Sequence, residues 1–350
     1  MLERLRDGGL EQVVAVHDPA SGLLGAIVID DTTRGPAIGG CRLARYPSGE
    51  AALDDGARLA RAMTLKCSLA GLPAGGGKGV FIDHPGVTDR PAMLRAMGRY
   101  IESLAGRFYT SGDLGIGPDE LAIVRETTRY VAVPDAGLDL AGAAADGLVA
   151  GVRAALRAVG LGADLSGRAV AVQGLGATGG RLATRLLEAG ATVYGADVDP
   201  AAAAAAAQAG VTLVDPEALL GLEVDILSPC AVGGVLDAVS VERLRCKVVA
   251  GAANNQLASA SVDARLHARG IAYVPDFAVN AGAVVLGASR FFETVPSGAE
   301  GVAQAAARIG ETVQRIFDAV QASGDPPGAV ALRLAEAGLI RPRTAAHQWW

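Results

Sequence analysis

Lysine is the scarcest charged residue of this chain, and its placement suggests chemistry. Only three of the 31 basic residues are lysines, and two of them, Lys66 and Lys78, lie in the stretch from Met63 to Phe81. Arginine stays charged at any accessible pH, whereas a buried lysine can release its proton near neutrality. The use of lysine in a chain that otherwise contains arginine indicates that amines are needed at these two positions.

Lys78 lies within the glycine-rich run Gly75–Gly79. Because glycine has no β-carbon, the backbone and a ligand could approach this amine closely. A second lysine nearby and partial burial would favour the neutral amine, so Lys78 could act as a base. Alternatively, the run is an ordinary turn and both lysines are solvated surface charges. We predict that Lys78 is in a loop that leads into a strand over residues 79–83.

Two further stretches of the N-terminal half carry candidate site residues. Asp113 follows a short predicted strand, and carboxylates at strand ends are common catalytic groups in α/β enzymes. It could equally form an Asx turn or cap a helix that begins near Pro118. The predicted loop Gly35–Arg42 contains Gly39 and Gly40, whose backbone amides could hold a carboxylate beside an arginine. A plain turn explains these residues at least as well.

The second half of the chain contains a dinucleotide fingerprint. A predicted strand, Ala169–Gln173, runs directly into the G-x-G-x-x-G pattern Gly174–Gly179, and a helix over Arg181–Glu188 follows. A second strand, Thr192–Ala196, ends at Asp197. Strand, glycine loop, helix and terminal acid together indicate that a pyrophosphate binds at the helix N-terminus.

Asp197 would accept hydrogen bonds from the ribose hydroxyls of the dinucleotide. Because a carboxylate repels a 2′-phosphate, this residue favours NAD over NADP. Asp199 is an alternative for the same role. Three further buried strands are predicted at residues 225–229, 247–251 and 272–276, and the loops after them would line the carboxyl edge of a doubly wound sheet.

Hydrophobic periodicity positions the lysines and the acid of the first half. Apolar runs at 13–16 and 23–29 predict two strands joined by a turn. A helical repeat from Glu50 to Ala70 places Lys66 near the end of an amphipathic helix, and a second helix is predicted from Arg90 to Ala105. The small-residue run 134–147 is typical of a hinge, and the last long helix is predicted from Glu300 to Ser323.

Length and composition restrict the possible classes. A chain of 350 residues favours two domains, and 51% hydrophobic with 4% aromatic residues indicates parallel sheets covered by helices. The net charge of −6 and the absence of a basic run argue against nucleic acid or membrane partners. No signal peptide or apolar span is found, so we expect a cytoplasmic protein. The four cysteines form no close pair, and no metal site is expected.

The motifs in their order resemble the amino-acid dehydrogenases of the leucine, phenylalanine and valine group, which are relatives of glutamate dehydrogenase. The resemblance covers most of the chain. The matching motifs are Gly-Pro-Ala-Ile-Gly-Gly-Cys-Arg (35–42), Lys66 with Gly-Gly-Gly-Lys-Gly (75–79), Ser-Gly-Asp-Leu-Gly (111–115), Gly-Leu-Gly-Ala-Thr-Gly-Gly (174–180), Pro-Cys-Ala-Val-Gly-Gly (229–234), Ala-Ala-Asn-Asn-Gln (252–256) and Pro-Asp-Phe-Ala-Val-Asn-Ala-Gly (275–282).

The resemblance implies an α/β fold with two domains and a cleft that closes between them. Residues 1–139 would form an α/β domain for substrate binding, catalysis and oligomerisation. Residues 140–324 would form a Rossmann-type, doubly wound NAD-binding domain. The segment from about 325 to 350 would be free to pack back on the first domain. A homo-oligomer, a dimer or larger, is also implied.

The resemblance also assigns roles to individual residues. Lys66, with the backbone of Gly39 and Gly40, would hold the substrate carboxylate, Lys78 would activate water, and Asp113 would move protons to and from the amine. The other implied substrate-binding residues are Arg42, Ser111, Gly112, Asn254 and Asn280. The implied cofactor-binding residues are Gly174, Leu175, Gly176, Ala177, Thr178, Gly179, Asp197, Val198, Ala231, Val232, Ala252, Ala253 and Asn254.

Two features of this chain depart from the family pattern, and a third concerns the substrate. Residues 140–146 form a loop without a hydroxyl group where the family usually has serine or threonine near the nicotinamide. Asn280–Ala283 replaces the usual Asn-Ala-Gly-Gly. The small Ser111 and Gly112 permit a bulky substrate side chain without selecting one.

The sequence therefore predicts NAD-dependent, reversible oxidative deamination of an apolar L-amino acid, aromatic or branched, to a 2-oxo acid and ammonia. Two alternatives remain open at this point. One is a relative that acts on an unusual amino acid or 2-oxo acid in a biosynthetic pathway. The other is a NAD-binding homologue with impaired catalysis, which the hydroxyl-free loop suggests and the presence of both lysines and Asp113 opposes.

Overall fold

The fold is described from a computed structural model, in which residues 5, 6, 8–134 and 138–339 are described. The chain forms two compact units. The first consists of Met1–Leu138, Gly287–Val295 and Ala335–Trp350, and the second of Asp139–Leu286 and Pro296–Leu334. The division after Leu138 falls at the small-residue run that was predicted as a hinge. Residues 135–137 of that run lie outside the described residues.

The first unit is built on a five-stranded mixed sheet with the order β1-β2-β4-β3-β5. Its strands are β1 (Gln12–Asp18), β2 (Leu23–Asp31), β3 (Ala37–Ala44), β4 (Gly75–Ile82) and β5 (Phe108–Gly112). The β1–β2 pair is antiparallel, as expected for strands joined by a short turn, and the β2–β4 pair is also antiparallel. The β3–β4 and β3–β5 pairs are parallel, so the carboxyl ends of these three strands meet at one edge.

Helices cover both faces of this sheet. Helix α1 (Gly49–Leu69) begins at the N-cap Ser48 and packs on one face, where Ala60 meets Val28 and Val80. Helices α2 (Arg90–Ser103) and α3 (Pro118–Arg125) close the core on the opposite face. The two predicted strands, the amphipathic helix with Lys66 near its end, and the second helix are therefore confirmed.

Two loop predictions in this unit are wrong. Lys78 lies inside strand β4, and Gly39, Gly40 and Arg42 lie inside strand β3. Glycine has a low strand propensity, which favoured loops, but here it permits close packing. A β-carbon added to Gly39 would lie 1.8 Å from the carbonyl oxygen of Gly77. No larger residue could occupy that position without moving β4.

The second unit contains a six-stranded parallel sheet with the order β11-β10-β9-β6-β7-β8. Its strands are β6 (Ala169–Gln173), β7 (Thr192–Ala196), β8 (Thr212–Leu213), β9 (Ile226–Pro229), β10 (Val248–Val249) and β11 (Ala272–Tyr273). The strand order reverses at β6, which makes the junction of β6 and β9 a topological switch point. The predicted doubly wound fold is confirmed.

The described helices of the second unit flank this sheet. They are α4 (Leu140–Ala158), α5 (Ala177–Glu188), α6 (Pro200–Gln208), α7 (Pro216–Leu219), α8 (Ser240–Arg243), α9 (Ala260–Ala268), α10 (Asp276–Val279), α11 (Gly282–Ala288), α12 (Gly298–Ser323) and α13 (Pro327–Ala337), of which α11 and α13 end in segments of the first unit. The loop predicted at 140–146 is wrong, because helix α4 starts at Leu140. Asp139 caps that helix by accepting a hydrogen bond from the amide of Gly142.

The described residues were expected to contain neither a membrane span nor a metal site. No helix among them is long and apolar enough to cross a membrane. No group of three or more histidine, cysteine, aspartate or glutamate side chains in that part of the chain could hold a metal ion. Cys41, Cys67 and Cys246 are buried and Cys230 is half-buried, which agrees with their prediction as small packing residues.

Candidate active site

Lys78 and Asp113 meet at the carboxyl edge of the first sheet. Along β4, Lys78 and Val80 point to the face that α1 covers, since residues two apart share a face. Arg42 pairs in register with Val80 and therefore shares that face. Asp113 follows the last residue of β5, and its Oδ2 forms an ion pair with the Nζ of Lys78. The amine is buried, and the carboxylate is three-quarters buried.

Arg42 approaches the same carboxylate oxygen from β3. Its Nε donates to Asp113 Oδ2 at 3.0 Å, and its Nη1 donates to Asp55 Oδ2 at 2.8 Å. Asp55 lies on α1 and also accepts a hydrogen bond from the Tyr46 hydroxyl at 2.8 Å. The guanidinium therefore lies between two carboxylates, one from the strand end and one from the helix.

These charges set the ionisation of the two acids. Burial tends to raise the pKa of Asp113, but the charges of Lys78 and Arg42 outweigh burial and hold this pKa below its ordinary value. The pKa of Asp55 is also lowered, because hydrogen bonds from Tyr46 and Arg58 and the charge of Arg42 oppose its burial. Both acids are ionised near neutral pH, and Asp113 is poised to accept a proton rather than to donate one.

The alternative predictions for Asp113, a helix cap or an Asx turn, do not account for its side chain. Helix α3 is capped at Gly117, so Asp113 is not its N-cap. The carbonyl oxygen of Asp113 accepts a hydrogen bond from the amide of Ile116, so the chain turns there through backbone groups. Its carboxylate is directed to Lys78 and Arg42.

The glycines of β3 shape the floor of this site. A β-carbon on Gly40 would lie 2.6 Å from the carbonyl oxygen of Gly112 and 3.0 Å from the β-carbon of Asp113. Gly39 and Gly40 pair with Thr110 and Ser111 of β5. On the other side, β3 and β4 keep one register from Ala37 to Ala44, and no pair is recorded at the two glycines.

Lys66 and Ser111 complete the candidate residues of the first unit. Lys66 is buried in the last turn of α1, the helix that packs on β4. Ser111 is half-buried and pairs in register with Gly40, so it lies on the same strand face as Gly40 and Arg42.

The glycine loop of the second unit is shaped for a dinucleotide. Gly174 has a φ of +90°, which favours glycine, and a β-carbon there would lie 2.8 Å from Ala231. A β-carbon on Gly179 would lie 1.9 Å from the carbonyl oxygen of Gly174, so the helix and the strand end pack closely. Gly176 faces open space, and α5 begins beside it with Ala177, Thr178 and Gly179. This open cradle at a helix N-terminus fits a pyrophosphate.

The two acids that could bind the ribose have different contacts. Asp197 Oδ2 accepts a hydrogen bond of 2.6 Å from the amide of Leu175, so its carboxylate lies against the glycine loop. Asp199 caps helix α6 through the amide of Ala201. Val198 between them is 93% exposed. Of the two acids, Asp197 is therefore the one beside the cradle.

The loops after β9 and β10 carry the remaining cofactor candidates. Asn280 Nδ2 donates to Asn254 Oδ1 at 2.9 Å and to the carbonyl oxygen of Ala252 at 3.1 Å. Asn280 Oδ1 is buried and has no hydrogen-bond partner among the described residues, so it could receive a donor from a ligand. Ala231 contacts the glycine loop, Val232 is 65% exposed, and Ala253 is buried.

Asp55 and Tyr46 were missed by the sequence analysis. Asp55 precedes Lys66 by eleven residues, which is close to three full helical turns and places both on the same side of α1. That spacing was a usable signal. Tyr46 carried no comparable signal, because its contact with Asp55 depends on how the chain leaves β3.

Comparison with known proteins identifies the family. Residues 10–130 match the family model described as Glu/Leu/Phe/Val dehydrogenase, dimerisation domain, and residues 198–325 match the model described as Glutamate/Leucine/Phenylalanine/Valine dehydrogenase. The chain belongs to this family. It is therefore an amino-acid dehydrogenase, an oxidoreductase that acts on a CH–NH2 group and uses a nicotinamide dinucleotide.

Several dehydrogenases are similar along most of their length. An L-tryptophan dehydrogenase of Nostoc punctiforme is 39% identical over 340 residues, covering 96% of this chain and 95% of the relative. A phenylalanine dehydrogenase of Bacillus thermotolerans is 40% identical over 285 residues, covering 79% and 75%. A crystal structure of L-tryptophan dehydrogenase from Nostoc punctiforme superposes with a TM-score of 0.84 at 36% identity, covering 97% of this chain and 98% of that one.

Proposed function

We propose that this enzyme oxidises an apolar L-amino acid, aromatic or branched, to the 2-oxo acid and ammonia, with NAD as the hydride acceptor. The observation that carries the proposal is the ion pair between Lys78 and Asp113, which puts an amine and a carboxylate side by side at a strand edge. The first unit would bind the amino acid, and the second unit would bind the dinucleotide.

The ion pair provides the proton transfers that the reaction requires. Asp113 takes a proton from the substrate ammonium group, because only the neutral amine can lose a hydride from its α-carbon. When bound, NAD supplies the acceptor for that hydride. Lys78 then takes a proton from the water that adds to the imine carbon. Protonated Asp113 returns its proton to the nitrogen. The carbinolamine hydroxyl then gives its proton to the Asp113 carboxylate as the C=O bond forms and the C–N bond breaks, which releases ammonia.

The substrate carboxylate would bind beside this pair. We assign it to the amine of Lys66 and to the backbone of Gly39 and Gly40, the two β3 residues with no recorded pair on β4. An ammonium group and backbone amides are suitable partners for a carboxylate. This arrangement would orient the α-carbon without using the groups that move protons.

The choice of NAD over NADP follows from Asp197. Its carboxylate lies beside the glycine loop, where ribose hydroxyls could donate to it and a 2′-phosphate would be repelled. The cradle at Gly174–Gly179 would hold the pyrophosphate. Asn254 and Asn280 would contact the substrate or the nicotinamide end, using the unpartnered Oδ1 of Asn280.

The preference for an apolar side chain rests on the small Ser111 and on the relatives. Ser111 lies on the strand face of Gly40 and Arg42, where a small residue leaves room for a large substituent. Gly112 points to the opposite face, where a β-carbon would lie 2.7 Å from the carbonyl oxygen of Ile116, so it does not contribute to this space. The relatives named above act on tryptophan and phenylalanine, which supports an aromatic substrate. The match to the dimerisation-domain model supports a homo-oligomer.

A panel of amino acids tests this proposal. Reduced-nicotinamide absorbance would be followed with tryptophan, phenylalanine, leucine, valine, glutamate and lysine, each with NAD and with NADP. We expect the highest kcat/KM for an aromatic or branched substrate with NAD. Turnover of none of the apolar amino acids, or a preference for glutamate or lysine, would contradict the proposal.

A further inference from the structure

We propose that Arg42 is a positioning residue for Asp113 rather than a ligand of the substrate, and that Asp55 and Tyr46 hold Arg42 in this role. The inference rests on the proposed function, because it concerns the carboxylate that would move protons. It changes the role that the family resemblance implied for Arg42, which was substrate binding.

The contacts of Arg42 favour this role. Its Nε and Nη1 are both occupied, by Asp113 at 3.0 Å and by Asp55 at 2.8 Å. A planar guanidinium that Asp55 holds at Nη1 directs its Nε along one line, and so restrains the position of the Asp113 oxygen that accepts from it. Asp55 is itself fixed by Tyr46 and Arg58, at 2.8 and 2.5 Å. The chain of contacts therefore runs from α1 through β3 to the end of β5.

The permanent charge of Arg42 has a specific use in the cycle. When water adds, Asp113 carries the proton that it took from the substrate and Lys78 is neutral, so the two groups no longer form an ion pair. Arg42 cannot lose its proton, so its Nε remains a hydrogen-bond donor to Oδ2 of Asp113 through that step. Asp55 offsets part of the positive charge and lets Asp113 accept a proton at another step.

Few groups compete for this carboxylate. Among the described residues, the titratable or charged side chains recorded against Asp113 or Arg42 are Lys78, Cys41, Asp55 and Tyr46. Burial raises the pKa of Cys41 to about 12 and raises that of Tyr46. Both are therefore neutral over the working pH range, and the charges around Asp113 are those of Lys78, Arg42 and Asp55.

The experiment compares Arg42→Gln and Arg42→Lys with the wild type in pH-dependent steady-state kinetics. Asp113 must be ionised to accept a proton, so activity falls on the acidic side as Asp113 becomes protonated. Removing a neighbouring cation raises the pKa of a carboxyl group. Arg42→Gln should therefore move the acidic limb of kcat/KM to higher pH, by about one unit, since an opposite charge at this distance typically shifts a pKa by that much or more.

The kinetic constants separate positioning from substrate binding. For Arg42→Gln we expect kcat to fall about 10²-fold, as misplaced catalytic groups commonly cause, with KM for the amino acid nearly unchanged. Arg42→Lys keeps the charge but cannot reach both acids, so kcat should fall while the acidic limb stays near its wild-type position. A large rise in KM with an unmoved limb would assign Arg42 to the substrate and overturn the proposal. Unchanged constants would overturn it too.

A direct titration makes the test independent of turnover. The 13C signal of the Asp113 carboxyl carbon, identified by its loss in Asp113→Asn, would be followed against pH in wild type and Arg42→Gln. If the titration midpoint of Asp113 were the same in Arg42→Gln and wild type, the positioning proposal would be contradicted. Inactivity of the wild type with every amino acid would refute only the proposed function, and this titration could still be carried out. Thermal unfolding of each variant shows whether it is folded. If Arg42→Gln is not folded, the kinetic constants of Arg42→Lys provide the test.

A matched control comes from the same unit. Arg95 is exposed and forms an ion pair with Glu126 at 2.6 Å, with no described contact to the active-site cluster. Arg95→Gln makes the same chemical change and should leave kcat, KM and the acidic limb at their wild-type values. If the acidic limb of kcat/KM moved as far in Arg95→Gln as in Arg42→Gln, the cause would be the change in net charge, and the proposal would be contradicted.

Discussion

Lys78 and Arg42 contact the same oxygen of Asp113 from neighbouring strands. Lys78 can lose its proton and Arg42 cannot, so we assign proton transfer to Lys78 and positioning to Arg42. The scarcity of lysine in the sequence revealed the first role. The second role was hidden, because the motif at 35–42 suggested that Arg42 binds the substrate, and nothing in the sequence linked it to Asp113.

Cofactor choice is a second question at the residue scale. Asp197→Ser removes the carboxylate beside the glycine loop, so we expect kcat/KM with NADP to rise relative to NAD by about tenfold, which corresponds to about 1.4 kcal/mol. The ratio is measured in parallel assays with the two dinucleotides. Asp199→Ser is the control, since serine can still cap α6 and the ratio should stay unchanged. An unchanged ratio in Asp197→Ser would contradict the assignment.

The glycines of β3 and β4 show the limits of prediction at the scale of elements. Their low strand propensity favoured loops at 35–42 and before residue 79, and both predictions were wrong. Close approach between strands determines these positions, and close approach is a property of tertiary structure. The regular helix of Lys66 and the strands at 169–173 and 192–196, by contrast, were predicted because periodicity is local.

The same packing argument gives a testable prediction for Gly40. In Gly40→Ala the new β-carbon would contact the carbonyl oxygen of Gly112 and the β-carbon of Asp113. The end of β5 must shift, so kcat should fall by about 10²-fold, while NAD affinity, a property of the second unit, should stay unchanged. Stopped-flow or steady-state kinetics and calorimetric binding of NAD measure the two effects.

Gly49→Ala is the matched control for this substitution. Gly49 is the first residue of α1, and a β-carbon there has no neighbour within 4 Å. Alanine favours the helix, so activity should be retained and stability should not decrease. If Gly40→Ala retained wild-type kcat, the proposed close packing of Gly40 against Asp113 would not matter for catalysis.

At the scale of the whole molecule, the sequence predicted two α/β units and a doubly wound second sheet. That was possible because the glycine fingerprint, its flanking strand and helix, and the terminal acid form one continuous local pattern. The contact of Asp55 with Arg42 was not predictable in this way. It joins a helix to a strand through side chains that carry no pattern of their own.

Oligomer formation is a further prediction at this scale. The family model matched by residues 10–130 describes a dimerisation domain, and β1 forms one edge of the first sheet. We expect sedimentation velocity to give a dimer or a larger assembly at micromolar concentration. A single monomeric species over the whole concentration range used in the kinetic assays would contradict this expectation.

The central claim is that Lys78 moves a proton during amino-acid oxidation, and Lys78→Ala tests it most directly. The account predicts that turnover with the best amino acid falls at least about 10²-fold, the usual contribution of a general base, while NAD binding measured by calorimetry is unchanged. Lys247→Ala, which removes an exposed lysine of the second unit, should retain full activity. Near-wild-type turnover in Lys78→Ala would contradict the account.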